Sequence, residues 1–169
     1  MTIETSNHVR RALTLIEVVA STMIVGLMAV AALNTLGAAT RSSESIGDRA
    51  VAQGLADELM SEIMQSAYVE PSGSTTLGPD GAESSGPRSA FDDVDDYNGW
   101  KASPPQYRNG AAIPDRTNWR QRATVTRVTP SNPTQTSNSE TGAKRIQVTI
   151  EYRDQVLADQ VAVRTDTDN

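Results

Sequence analysis

From residue 13 to residue 33 the chain is largely apolar, and its only charge is one acid, Glu17. At 1.5 Å per residue such a run is long enough, as a helix, to cross a hydrocarbon core of about 30 Å. A carboxylate within a segment of that kind costs roughly 2.5–3.5 kcal/mol on insertion scales, so Glu17 calls for a cationic partner. Arg10 and Arg11 precede the run, with His8 nearby. The bias of basic residues toward the cytoplasmic side puts residues 1–12 in the cytoplasm and the bulk of the chain outside it. Two plain readings compete. A secretory signal could be cut after the small residues Ala29, Ala31 and Ala32. A simple single-span anchor fits the length but leaves the acid unexplained.

Composition narrows the function classes. With 169 residues there is room for one domain beyond this N-terminal segment. One Phe, two Trp and four Tyr imply a small core built on aliphatic side chains. The absence of cysteine removes disulfides and thiolate chemistry. The net charge of −6 argues against nucleic acid as a main partner, because phosphate binding needs a basic surface. Arg116, Arg120, Arg122 and Arg127 surround Trp119, but arginines of this spacing on a strand read first as a solvated sheet face. No enzyme is expected: the one histidine is His8, and no phosphate loop or histidine-based metal spacing exists.

The run Ala12-Leu13-Thr14-Leu15-Ile16-Glu17 resembles the prepilin processing motif of type IV pilins and type II secretion pseudopilins. In that family a short basic leader ends in Gly or, less often, Ala, and an apolar residue and Thr-Leu-Ile-Glu follow. Ala12 stands here for Gly and Leu13 for the usual Phe. The resemblance covers residues 10–33. It implies that a prepilin peptidase cuts between Ala12 and Leu13 and methylates the new amine of Leu13. It also implies that Glu17 meets the positive amino terminus of a neighbouring subunit and so sets register in a filament. The partners implied are the peptidase, other pilin or pseudopilin subunits and an inner-membrane assembly platform. The location implied is the bacterial inner membrane, single-pass, with the C-terminal domain outside the cytoplasm.

The remaining chain predicts an α+β fold of pilin-like layout. Residues 34–66 lack proline, and Ile46, Ala50, Leu55, Leu59 and Ile63 recur near helical spacing, forming an outer amphipathic half of the helix. Small residues at 37–40 and Gly47 predict a bend or frayed turn. Residues 67–118 read as irregular, broken by Pro71, Gly73, Gly78, Pro79, Gly81, Gly86 and Pro87. Residues 119–169 carry three strand signals, at 119–129, 144–152 and 155–164, with Arg153-Asp154 as a hairpin turn and 130–142 as a polar connector. Ile146, Val148 and Ile150 share one face of the second; Leu157, Val161 and Val163 share one face of the third. The antiparallel sheet of three or four strands needs a cover for its apolar face, which the outer half of the helix can supply.

Asp92, Asp93, Asp95 and Asp96 lie between Phe91 and Tyr97 and could offer oxygen ligands to Ca²⁺. Their register does not match an EF-hand. Without a cation, four close carboxylates repel one another, and compensation is expected from Arg88, Lys101 or Arg108. The competing reading is a solvated acidic loop pinned to the sheet by Phe91, Tyr97 and Trp100; no other cofactor is implied. The function expected is a minor subunit of a type IV pilus or type II secretion pseudopilus. The alternative is a single-span, envelope-anchored binding module.

Overall fold

The computed structural model describes residues 14–71, 73–74, 76–81 and 83–166. The chain divides into two compact units, Met1–Ser45 and Ile46–Asn169. Helix α1 spans Leu15–Gln65. Its first turn is closed by Thr14, whose hydroxyl oxygen accepts from the Glu17 amide at 3.4 Å and whose carbonyl accepts from the same amide at 3.0 Å. Helical structure continues through residues 37–40 and Gly47, so the frayed turn expected there does not form. One glycine costs only about 1 kcal/mol in a helix of this length.

In the first unit the helix is mostly apolar up to Leu33 and uncovered: every described residue from 14 to 36 is exposed. Its mean hydropathy reaches 2.2 over a window long enough to cross a membrane.

In the second unit the helix packs on a sheet. Ala52, Leu55, Ala56, Leu59 and Ile63 are its buried residues, repeating at three- and four-residue steps along one stripe. Ile46 and Ala50, expected in that stripe, are exposed; it begins with Ala52. The sheet has five strands: β1 (Lys101–Ala102), β2 (Trp119–Thr129), β3 (Asn132–Thr136), β4 (Ala143–Tyr152) and β5 (Gln155–Thr165). The order is β1-β2-β4-β5, with β3 also on β2, and every strand pairing is antiparallel. β3 lies inside the stretch expected to be a plain connector. Ala123 and Val125 of β2 and Ile146, Val148 and Ile150 of β4 face the helix stripe and form the core with it. Burying side chains such as Leu59 and Ile63 contributes about 1.5–3 kcal/mol each.

β5, which holds the last of the three expected strands, departs from expectation in a specific way. Next to the Arg153-Asp154 turn, Tyr152 pairs with Gln155 and Glu151 with Val156, but Ile150 then pairs with Ala158. Leu157 is the extra residue of a bulge. That single insertion reverses every side chain beyond it. Gln160 and Arg164 turn toward the helix, where Gln160 donates to Asp57 and Arg164 to the carbonyls of Ile63 and Met64. Val161 and Val163 therefore point outward, 57% and 40% exposed, and are not core residues.

Residues 67–118 hold β1 and, outside it, short 3-10 turns at Glu83–Ser85, Arg88–Ala90 and Asp95–Tyr97. The segment nonetheless contributes to the core. Phe91, Val94 and Tyr97 are buried, and the Phe91 and Tyr97 rings meet edge-on at 5.1 Å.

Candidate functional site

Two places in the chain carry groups that packing alone does not require. The first is the start of α1. Ala12 and Leu13, the expected cleavage and methylation positions, lie outside the described residues. Glu17 is described and exposed, in the first turn of the helix. Thr14 and Glu17 stand in the Ser/Thr-x-x-Glu relation that marks helix starts, a signal present in the sequence beside the processing motif. The N-terminal end of the helix dipole favours an acid at that place. Further along, Ser21, Thr22, Thr35 and Thr40 donate their hydroxyls to the carbonyls of Glu17, Val19, Ala31 and Leu36. These hydroxyls are satisfied within the helix and suit an apolar surrounding. Among the described residues, no hydrogen bond or ion pair reaches the Glu17 carboxylate.

The second place is the aspartate loop, and the four aspartates do not converge on one point. Asp93 and Asp96 cap each other's backbone. The Asp96 amide donates to Asp93 Oδ1 at 3.0 Å, and Asp96 Oδ2 accepts from the amides of Asp92 and Asp93 at 3.0 and 3.2 Å. Asp95 points into the protein, with Oδ1 2.8 Å from Lys144 Nζ and Oδ2 3.7 Å from Arg127 Nη2. Lys144 is 2% exposed, donates to the Tyr68 carbonyl and sits 4.3 Å from the centre of the Tyr68 ring. The Tyr68 hydroxyl in turn donates to Glu140 at 2.7 Å. Burial works against the charge of Glu140, but this bond and the amides of Gly142 and Thr141 hold its carboxyl below the usual range.

The compensating cations are thus Lys144 and Arg127 from the sheet, not the expected Arg88, Lys101 or Arg108. Arg88 and Arg108 face Glu62 of α1 instead, at 3.5 and 3.9 Å, and Glu62 also accepts from the Tyr97 hydroxyl. Burial lowers the Arg88 guanidinium, and Glu62 opposes that. Lys101 pairs in β1 with Arg122 as its strand neighbour. Local sequence order could not reveal this exchange, because Lys144 lies far along the chain from Asp95.

Asp92 and Asp96 do meet other acids. Their carboxylates and those of Glu70 and Glu83 offer oxygens that all lie within 4.8 Å of one another. Glu83 is pushed up to about 7 by burial, by a hydrogen bond shared with Asp96 and by the charges of Asp96, Asp92 and Glu70. Asp92 is raised for related reasons, burial first and then Glu70 and Asp96. Burial also lifts Asp93 to about 6, helped by Asp95 and Asp96 and opposed by the Asp96 amide and Lys144. The chemistry available is that of shared protons and hard oxygen donors. Asp93 and Asp95, taken up by protein partners, are not in the set. Glu70 and Glu83 replace them from an irregular stretch whose path no sequence period fixes.

Of the arginines around Trp119, Arg116 lies over the indole ring at 5.7 Å and the other three meet acids. Arg120 and Arg122 both bind Glu151, at 2.7 and 3.1 Å, and Arg127 lies 3.3 Å from Glu140. Compared with protein-family models, curated proteins and solved structures, the chain matches none. Its architecture is a long N-terminal helix, apolar in its first half, whose later turns pack on an antiparallel sheet.

Proposed function

We propose that this chain is a minor, non-enzymatic subunit of a type IV pilus or type II secretion pseudopilus, assembled through its N-terminal helix. The observation that carries the reading is the helix surface over residues 15–33, wholly exposed, mostly apolar and charged only at Glu17, which has no partner among the described residues. A surface of that kind needs lipid before assembly and similar helices afterwards. Arg10 and Arg11, immediately before the run, keep residues 1–12 on the cytoplasmic side of the inner membrane. Prepilin peptidase removes that leader between Ala12 and Leu13 and methylates Leu13. The freed amine of one subunit meets Glu17 of the next as the helices leave lipid for the filament on its assembly platform. An ion pair of this type fixes register, because an unpaired carboxylate in an apolar bundle is heavily penalised while a paired one is tolerated.

The test is N-terminal sequencing and mass analysis after co-expression with a prepilin peptidase. A chain beginning at methylated Leu13 is the expected product. An intact leader, or a cut after Ala32, would refute the reading and leave an envelope-anchored binding module.

A further inference from the structure

The meeting of Lys144 with Asp95 holds an amine against a carboxyl group with water shut out. Lys144, on β4, is 2% exposed and Asp95, in the turn Asp95–Tyr97, is 5% exposed. Lys144 Nζ lies 2.8 Å from Asp95 Oδ1, yet Oδ1 takes no hydrogen bond of normal alignment. The carboxyl carbon, Cγ, is one bond further on. Tyr68 fixes the amine: Nζ donates to its carbonyl and lies 4.3 Å from its ring centre. Burial raises the Asp95 carboxyl, against the pull of Lys144 and Arg127. Two charges in such a place are penalised by desolvation, which favours passing a proton from the amine to the acid.

We propose that, once the chain has folded, the side chains of Lys144 and Asp95 condense into an amide. The salt-bridged pair is the state reached on folding, with three protons on Nζ and none on Asp95. One proton passes to Oδ1, leaving a neutral amine and a neutral acid. The Nζ lone pair then attacks Cγ and a C–N bond forms. Negative charge collects on Oδ2, which Arg127 Nη2 faces at 3.7 Å. A second proton moves from nitrogen to Oδ1, the Cγ–Oδ1 bond breaks and water leaves; the third stays on the amide nitrogen. Asp93 is the acid at hand to relay that second proton: it is wholly buried, it feels the charges of both Lys144 and Asp95, and its Oδ2 has no hydrogen-bond partner. In water the same condensation is opposed by hydration of the two ions, which burial here removes. Fixed placement adds to this, because groups held in reacting geometry reach effective concentrations of roughly 10⁵–10⁸ M. Afterwards Arg127 still has Glu140 at 3.3 Å, so no buried cation is left alone. The amide ties the stretch before β1 to β4, a link that a chain without cysteine cannot make as a disulfide. It belongs to the sheet unit and does not depend on the filament reading.

Trypsin and mass spectrometry test this on the full-length chain, purified from membranes in detergent, kept folded at neutral pH and then denatured for digestion. Trypsin cuts after Arg88, Lys101, Arg127, Lys144 and Arg145 in an unlinked chain. With the amide in place, cleavage after Lys144 is lost. The major product is then a branched peptide of residues 89–101 and 128–145, lighter than the sum of the two by one water. Fragmentation places the branch at Asp95. Lys144→Arg keeps a cation but offers no amine, and should give no branched peptide, with tryptophan fluorescence checking that it folds. Separate, unmodified peptides from the folded wild-type chain would overturn the proposal, as would a branch at Asp92, Asp93 or Asp96, or the same branched peptide from Lys144→Arg.

Discussion

Replacing Lys144 with methionine isolates the interaction that ties the aspartate loop to the sheet. Lys144 Nζ lies 2.8 Å from Asp95 Oδ1, both side chains are almost wholly buried, and the nearest other cation, Arg127, stands at 3.7 Å and is shared with Glu140. Methionine fills a similar volume, so the packing loss is small and the change acts on charge. Removing one member of a buried pair costs about 3–5 kcal/mol, because the other remains desolvated without its partner. For a unit of this size, roughly 3–5 °C of melting temperature accompanies each kcal/mol, giving a fall of about 10–20 °C. Both tryptophans, Trp100 and Trp119, belong to this unit, so their fluorescence follows its unfolding in detergent without interference from the apolar part of α1. The double variant Lys144→Met/Asp95→Asn removes both charges and should recover about 2 kcal/mol or more relative to the sum of the single changes. A drop below about 1 kcal/mol for Lys144→Met, or no coupling in the cycle, would refute the assignment of this pair as the loop's anchor.

Glu17→Ala should insert in the membrane and fold normally yet be missing from sheared filaments, detected by blotting; normal incorporation would contradict the register role. Gly54→Ala, at an exposed helical position with open space around the new methyl group, should raise stability by about 0.5–1 kcal/mol in urea unfolding. Asp93 and Glu83 are raised to about 6 and about 7, so the folded chain holds protons that the unfolded chain releases above pH 4. Stability therefore falls as pH rises from about 4 to about 7 and levels off above that. Urea midpoints should be higher at pH 5 than at pH 8, and Glu83→Gln should flatten the upper part of the slope; an opposite slope would show that these carboxyls are not raised.

The sequence by itself determined the elements whose pattern is local. The apolar run after Thr14 reads as a helix and is one from Leu15, and the spacing of Leu55, Leu59 and Ile63 fixed which side of its continuation is buried. The alternation of Ile146, Val148 and Ile150 did the same for the central strand. Periodicity suffices there because a helix turn or a strand pleat repeats over a few residues. Glu17 stood out for the same reason, one charge in an otherwise uncharged run. Only the tertiary structure decided what depends on residues distant in sequence. The bulge at Leu157 shows only in the pairing of β5 with β4, where it shifts the register by one residue, and it sends Val161 and Val163 outward against their own alternation. The aspartates were divided in the same way. Lys144 draws Asp95 inward, while Glu70 and Glu83 come beside Asp92 and Asp96, because the fold sets which charges lie within a few ångströms and Coulomb energy falls with that distance.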